Sequence, residues 1–152
     1  ANTHKDWTMH IYGEGILREN LQKQLISLGL EDSCFLEHHT LQIGECFKTS
    51  SLLVLSSRFE GWGLVIVEAM AYGLPVVSFA CPCGPKEIIV DGVDGFLVEP
   101  QNIKELACKI SYVIENEEIR KTMGYQASVN VHRYDIERIV PRWVQLFEEL
   151  TI

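Results

Sequence analysis

Several features that mark membrane and nucleic-acid-binding proteins are missing from this sequence. Its 152 residues carry 13 Lys and Arg against 21 Asp and Glu, a formal net charge of -8. Such a field repels phosphate backbones and anionic lipid headgroups. Apolar runs such as residues 52–55 are far shorter than the roughly 20 residues that span a bilayer. Residues 1–10 lack the apolar stretch of a signal peptide, so we expect a cytoplasmic protein without a transmembrane segment.

Cysteines are few, and their number is odd. The five of them lack the even spacing of a disulfide framework, so we expect reduced thiols. Cys81 and Cys83 flank a proline, but a zinc site needs about four ligands. The sequence offers no second Cys or His pair at ligand spacing nearby, and the adjacent His38 and His39 would point apart in an extended segment. No metal site is predicted.

Short apolar runs alternate with stretches of helical periodicity along the whole chain. Strands are predicted at residues 8–12, 34–36, 52–55, 76–79 and 96–98, with helices between them. The run at 52–55 is apolar at every position, which is typical of a strand buried on both faces. Strands separated by helices indicate an α/β fold with a doubly wound, Rossmann-like parallel sheet. We expect a single domain over residues 1–152, with ligands bound beyond the carboxyl ends of the strands.

The sequence after Pro100 predicts three helices. Asn102 followed by Glu105 resembles a capping box. Pro141 predicts a kink or a restart in the last helix. Trp143 and Phe147 form an apolar stripe on that helix, which is more typical of a core than of a partner surface.

Gly13 and Gly15 follow the first strand and precede a helix, as in dinucleotide-binding folds. The third glycine of that fingerprint would fall at Arg18, so the fingerprint fails. Glu37 lies too far beyond the second predicted strand to hold an adenosine ribose. A tight turn is therefore favoured over an NAD or FAD site.

Residues 56–70 are the richest segment for chemistry. Gly61 and Gly63 precede a helix, which lets the backbone approach a ligand closely. The amides of Gly63, Leu64 and Val65 point outward with the positive end of the helix dipole. This arrangement predicts a diphosphate site.

Two acidic side chains flank that helix start. Glu68 lies roughly 6 Å along the axis from Leu64 and could accept hydrogen bonds from two ribose hydroxyls. Glu60 lies on the preceding loop and can project toward the group on the far phosphate. Taken singly, Glu60 could be a surface carboxylate and Glu68 a first-turn acid that complements the dipole. Their joint position beside the glycines favours ligand binding.

Glu60, seven residues and Glu68 together resemble the signature of the retaining glycosyltransferases of family 4. Residues 11–15, 84–89 and 91–98 resemble that family's Gly-x-Gly turn, its following loop and its last strand. The resemblance implies a B-type fold of two Rossmann-like domains, of which this chain is similar to the C-terminal, donor-binding half. The family's N-terminal acceptor domain and the first strand of the C-terminal domain have no counterpart in this sequence.

The resemblance also implies roles for individual residues. Glu60 would hold hydroxyls of the transferred sugar as the catalytic residue, Glu68 the ribose, and main chain around Leu36 the base. A glycine often found at the position of Glu37 is absent. The implied donor-binding set is Glu68, Gly61, Gly63, Leu64, Val65, Gly13, Gly15, Leu36, Glu37 and His38.

The implied function is transfer of a hexose from a nucleotide diphosphate sugar, a UDP-sugar, to a carbohydrate or lipid-linked acceptor. The loop at 79–85 is similar to that of bacterial enzymes of surface polysaccharide synthesis. No Asp-x-Asp motif occurs, in agreement with the metal-independent and cofactor-free catalysis that the family implies.

Two alternative functions and one limit on activity accompany that expectation. A non-catalytic nucleotide-sugar binding module and, less favoured, a sugar-nucleotide epimerase stay open. The Gly-Arg turn and Lys that neutralise the leaving diphosphate in the family are missing, so we expect this fragment alone to be inactive. The expected partners are the nucleotide sugar, the acceptor and the missing domain. Peripheral association with the inner face of the membrane is compatible with the full-length protein.

Overall fold

The computed structural model describes residues 4–151, in which strands and helices alternate. The strands are β1 (Met9–Tyr12), β2 (Cys34–Glu37), β3 (Leu53–Leu55), β4 (Val76–Phe79) and β5 (Gly95–Val98). The helices are α1 (Arg18–Ser27), α2 (Ile43–Thr49), α3 (Leu64–Ala71), α4 (Pro85–Ile88), α5 (Ile103–Glu115), α6 (Glu117–Asn130) and α7 (Ile136–Leu150), with a 3-10 helix at Val131–Tyr134. None of the helices in the described part of the chain has the length and apolar character needed to cross a membrane.

The chain forms two compact units, one up to Ile43 and one from Gly44 onward. In the first unit, β1 pairs in parallel with β2, so that Met9 lies opposite Cys34 and Tyr12 opposite Glu37. In the second unit, three parallel strands lie in the order β3-β4-β5. The predicted α/β class with parallel strands is thus confirmed, and its strands pair in two sheets.

The core of the second unit is built around β4, whose residues are all buried. Side chains of a strand alternate between its two faces. Val76 accordingly contributes to one apolar cluster, with α3, α4 and α6. Val77 and Phe79 contribute to another, with β5, α5 and α6. Helices therefore cover β4 on both faces, as expected for a parallel sheet.

The prediction that residues 52–55 form a strand buried on both faces is wrong. All three residues of β3, Leu53–Leu55, are only half-buried. In its sheet β3 pairs with β4 alone and lies at the edge. The fully covered strand is the central one, because within residues 4–151 only β4 of this sheet has a paired strand on each side.

The C-terminal helices follow the sequence signals with one exception. Asn102 caps α5, since its side-chain oxygen accepts the Glu105 amide at 3.2 Å. Helix α7 continues through Pro141 without a restart. Its apolar stripe is exposed rather than core, with Trp143 55% and Phe147 59% accessible. The helical period identifies an apolar face, but it does not say what covers that face.

Candidate functional site

The loop after β3 leads into α3 through a glycine with a required conformation. Gly63 is the N-cap of α3 and has φ 87°, in the left-handed region. L side chains rarely adopt that region. A Cβ at this position would also lie 3.2 Å from the Ile66 Cδ1 atom. Glycine therefore fits the helix start both for its backbone conformation and for its lack of a side chain.

The amide end of α3 carries no internal neutralising group. Gly63 provides no side-chain cap, and the first turn contains no acidic residue. The Ile66 amide donates to the Gly63 carbonyl at 2.9 Å. The Leu64 and Val65 amides precede it, and helix geometry gives such groups no acceptor within the helix. This terminus is suited to an anionic group.

Glu68 lies on the exposed side of α3. The buried side of this helix consists of Ile66, Ala69 and Met70, whereas Leu64 and Glu68 are exposed. Residues four apart lie on one helix face, so Glu68 stands one turn beyond the amide end on the same face as Leu64. As the fifth residue of α3 it lies outside the first turn, which weakens its interpretation as a simple complement to the dipole.

Glu60 lies beside the loop that follows β4. The Glu60 side chain is half-buried. Burial raises the pKa of the Cys81 thiol, and the negative charge of Glu60 adds to that increase. Cys81 is buried two residues beyond the end of β4. The carboxylate is therefore near the carboxyl end of the central strand, and it is not simply an isolated surface charge.

The same two loops are in backbone contact. A Cβ at Gly84, which has φ 82°, would lie 1.8 Å from the Trp62 carbonyl oxygen. The Trp62 ring in turn packs edge-on against Tyr134, with centroids 5.0 Å apart. Tyr134 donates its hydroxyl to the Glu87 carbonyl at 3.0 Å. The start of α3, the start of α4 and the 3-10 helix thus form one packed region around Trp62.

The first unit holds the remaining predicted residues. Gly13, with φ 144°, follows β1, and a Cβ at either Gly13 or Gly15 would meet nothing within 4 Å. Leu36 and Glu37 end β2, and His38 follows them. The His38 Nδ1 atom lies 2.6 Å from Glu14 Oε1. The turn after β1 and the end of β2 therefore lie together at one edge of this sheet.

The prediction that Glu37 lies beyond the second strand is wrong. Glu37 is the last residue of β2, because the strand pairs with β1 as far as Tyr12. Its Oε1 atom lies 2.9 Å from His10 Nδ1, so the carboxylate faces a histidine of the neighbouring strand. An acid at this place is compatible with ribose binding in dinucleotide folds, but the missing third glycine still counts against that class.

Arg18 is the residue whose importance the sequence did not reveal. Its guanidinium donates to the carbonyls of Gly13, Leu36 and Glu37, at 3.2, 2.6 and 3.0 Å. In the sequence, Arg18 only occupies the position where the dinucleotide fingerprint has its third glycine. The signal available for its role is an arginine, which can donate to two acceptors at once, three residues after a Gly-x-Gly turn.

The structure brings the predicted residues together in two groups. One consists of Glu60, Gly61, Gly63, Leu64, Val65 and Glu68 in the second unit, and the other of Gly13, Gly15, Leu36, Glu37 and His38 in the first. Within residues 4–151 no three His, Cys, Asp or Glu side chains converge in a way that could hold a metal ion. None of the five cysteines, all of which lie within the described residues, forms a disulfide.

Comparison with known proteins identifies the family. The model of the family "Glycosyl transferases group 1" matches residues 1–129. The poly(ribitol-phosphate) alpha-N-acetylglucosaminyltransferase of Staphylococcus aureus is 35% identical over 139 residues, which cover 91% of this chain. The chain belongs to the glycosyl transferases group 1 family.

Two solved structures agree with that assignment. HepE of Anabaena in complex with UDP superimposes with a TM-score of 0.88 and 28% identity, over 94% of this chain and 41% of HepE. The C-terminal domain of the group 1 glycosyltransferase LpcC of Francisella tularensis gives 0.82 and 26%, over 89% of this chain and 73% of that domain. The fold is therefore that of the C-terminal domains of B-type glycosyltransferases. The chain spans only 28% of the Staphylococcus aureus relative.

Proposed function

We propose that this chain is the donor-binding domain of a retaining glycosyltransferase of family 4, which transfers a hexose from a UDP-sugar to a carbohydrate or lipid-linked acceptor. The observation that carries the proposal is the amide end of α3. Gly63 opens the helix without a side-chain cap, and no acid occupies the first turn. Glu60 precedes this terminus and Glu68 follows it by one turn. The UDP bound by HepE is a ligand of the expected chemistry.

Each group of the donor has a matching element. The amides of Gly63, Leu64 and Val65 bind the diphosphate, because helix N-termini favour anions. Glu68 accepts hydrogen bonds from the ribose hydroxyls. Glu60 holds hydroxyls of the sugar. Gly61 gives the backbone room to approach the donor.

The base is assigned to the end of β2. Main chain at Leu36, Glu37 and His38 reads its edge, and the turn with Gly13 and Gly15 lies beside that segment. Main-chain donors and acceptors suit this purpose because a base presents both at its edge.

In this mechanism the acceptor attacks from the face that the diphosphate leaves. The departing diphosphate takes the acceptor proton, so the anomeric configuration is retained. Glu60 positions the sugar and does not act as a nucleophile. No metal ion or cofactor takes part, and we expect a chelator to leave the activity unchanged.

The setting of the whole protein follows from the same proposal. The Staphylococcus aureus relative is named for transfer to poly(ribitol phosphate), and the amylovoran glycosyltransferase AmsD of Erwinia amylovora for biosynthesis of that polymer. We therefore infer a role in bacterial surface polysaccharide synthesis. A lipid-linked acceptor would bring a cytoplasmic enzyme to the inner face of the membrane. The acceptor is held by a further domain, so this chain alone turns over no donor.

The test uses the complete natural protein with UDP, GDP and NAD in parallel titrations, followed by donor consumption with and without acceptor. Glu68→Gln should weaken UDP binding about tenfold, as expected for lost hydrogen bonds to a charged group. Glu60→Gln should lower kcat on the order of a hundredfold, because the sugar loses its position. Glu118→Gln, which changes an exposed acid at the start of α6, should change neither quantity.

Three outcomes would contradict the proposal. Saturable donor binding without consumption in the presence of acceptors would indicate a binding module. Donor isomerisation without acceptor would indicate an epimerase. A product whose anomeric configuration is inverted by NMR would exclude the retaining mechanism.

A further inference from the structure

We propose that Arg18 is a positioning residue for base recognition, which fixes the main chain of Leu36 and Glu37 in the conformation that selects the nucleotide. The inference rests on the proposed function, in which that segment reads the base. Arg18 itself touches main chain of the protein and is not a catalytic residue.

The guanidinium of Arg18 donates to three main-chain carbonyls. Nη2 donates to the Leu36 carbonyl at 2.6 Å, and Nη1 donates to the Glu37 carbonyl at 3.0 Å. Nη1 also donates to the Gly13 carbonyl at 3.2 Å. The planar fork of an arginine holds two acceptors in a fixed relative orientation, which a lysine cannot do. Arg18 thus joins the residue after β1 to the end of β2.

The Glu37 carbonyl oxygen accepts two hydrogen bonds. This oxygen accepts the Gly13 amide at 3.3 Å as well as the Arg18 side chain. A carbonyl oxygen has two lone pairs, so both are engaged. The peptide that joins Glu37 to His38 is thereby held in one orientation. This orientation also sets the direction in which the following peptide groups continue.

Glu14, in the turn between β1 and α1, is a second anchor for the segment. Glu14 Oε1 lies 2.6 Å from His38 Nδ1, and the same carboxylate accepts the backbone amide of His39. The segment is therefore held by Arg18 at Leu36 and Glu37 and by Glu14 at His38 and His39. Glu14 lies in the turn between β1 and α1 and Arg18 is the first residue of α1, whereas the segment itself lies at and after the end of β2.

Arg18 is less accessible to solvent than its neighbours in the chain. Arg18 is half-buried, whereas the neighbouring residues 16, 17 and 19 are exposed. Its charge is turned into the carbonyls at the edge of the sheet. A direct role of Arg18 in binding the diphosphate is the competing interpretation, and the test separates the two roles.

The experiment titrates the complete natural protein with UDP, GDP, ADP and inorganic pyrophosphate by calorimetry. The variants are Arg18→Gln, Arg18→Lys and the control Lys23→Gln, which removes the same charge from an exposed position of the same helix. Pyrophosphate reports the diphosphate site without a base. The donor KM and kcat are measured in parallel. A loss of donor binding raises KM, whereas a loss in the chemical step lowers kcat.

The proposal predicts a loss of selectivity. Arg18→Gln should reduce the preference of the wild type among the three nucleotides by about tenfold, equivalent to roughly 1.4 kcal/mol. Its pyrophosphate affinity should stay within about twofold, which is under roughly 0.5 kcal/mol. Arg18→Lys should lie between Arg18→Gln and the wild type, and Lys23→Gln should match the wild type.

Several results would overturn it. An unchanged preference in Arg18→Gln would remove the positioning role and leave the proposed function intact. An equal loss for all nucleotides and for pyrophosphate would assign Arg18 to the diphosphate or to folding. A wild type that binds no nucleoside diphosphate would overturn both this inference and the proposed function. If circular dichroism shows that Arg18→Gln is unfolded, Arg18→Lys and Glu14→Gln decide the question by the same ratios.

Discussion

The indole of Trp62 meets the ring of Tyr134 edge-on, with centroids 5.0 Å apart and planes at 87°. Edge-to-face contact is a favourable arrangement for two aromatic rings. Trp62 lies on the loop before α3, between the two glycines of the candidate donor site. Tyr134 is fixed in turn by its hydrogen bond to the Glu87 carbonyl. A residue 72 positions further along the chain therefore supports the loop that we propose to hold the donor.

This contact should be measurable as a coupling energy. In a double-mutant cycle of Trp62→Leu and Tyr134→Leu, we expect a coupling of about 0.5–1.5 kcal/mol in the free energy of unfolding, as for other aromatic pairs. Urea unfolding provides the four values. Tyr112→Leu is the control, because Tyr112 packs against Phe96 in the other apolar cluster. The losses in the free energy of unfolding from Tyr112→Leu and Trp62→Leu should be additive. If the losses from Tyr134→Leu and Trp62→Leu are additive as well, the prediction is contradicted.

Gly84 should tolerate no side chain. In Gly84→Ala the new Cβ would lie 1.8 Å from the Trp62 carbonyl oxygen, so the two loops must separate. We expect a loss of more than about 3 kcal/mol in the free energy of unfolding, together with weaker donor binding.

Gly92→Ala is the matched control for that substitution. Gly92 has φ 76°, close to the 82° of Gly84, but a Cβ there would meet nothing within 4 Å. Only the conformational cost of about 1–2 kcal/mol should remain. Equal losses in the two variants, measured by urea unfolding, would show that contact with Trp62 is unimportant.

Asp94 should be a major determinant of stability in the second unit. It is fully buried, and its two oxygens accept the Val90 amide and the Asn130 side-chain amide, each at 2.8 Å. Asp94→Ala leaves both donors without this acceptor, which should cost about 2–4 kcal/mol. Asp91 accepts the Leu97 amide at 2.9 Å but is exposed, so Asp91→Ala should cost about 1 kcal/mol or less. Thermal and urea unfolding measure both losses, and a larger loss in Asp91→Ala than in Asp94→Ala would contradict the prediction.

The pKa of Glu14 should depend on His38. The hydrogen bond from the His38 side chain is the main cause that lowers the pKa of Glu14 below 4.5. His38→Ala should therefore raise that pKa toward its ordinary value. Carboxyl carbon NMR during an acid titration measures it directly. The pKa of Glu117, lowered by Lys121, is an internal reference that His38→Ala should leave unchanged.

The direction of the pH dependence follows from the lowered pKa. A carboxyl group with a folded-state pKa below its unfolded value stabilises the fold when the pH is above the unfolded value. That contribution is lost as the pH falls through the folded-state pKa of Glu14. Protonation of Glu14 should thus weaken its hold on His38 and His39 as the pH falls below about 4.5. A folded-state pKa of Glu14 above that value would contradict the assignment.

The sequence predicted local elements well where a strong signal marks their ends. Residues 76–79 form β4 as predicted, and α3 starts at Leu64, directly after Gly63. In both cases glycine, proline and apolar periodicity act within a few residues. The placement of Glu37 failed because the end of β2 depends on pairing with Tyr12, which lies in a different part of the chain.

Burial was harder to predict than secondary structure. Residues 53–55 are all apolar and residues 76–79 are apolar except for Ser78, yet only the second run is fully buried. The difference is strand order, since β4 is central and β3 lies at an edge. The apolar stripe of α7 likewise identifies a face, but the exposure of Trp143 and Phe147 is decided by what packs there.

The sequence by itself determined the alternation of strands and helices, the glycine before α3 and the spacing of Glu60 and Glu68, because these depend on neighbouring residues. Only the tertiary structure decided that Glu60 lies near Cys81, that Trp62 contacts Gly84 and Tyr134, and that Arg18 holds the end of β2. Those contacts join residues far apart in the chain. Their geometry is fixed by strand pairing and core packing, which no local sequence pattern contains.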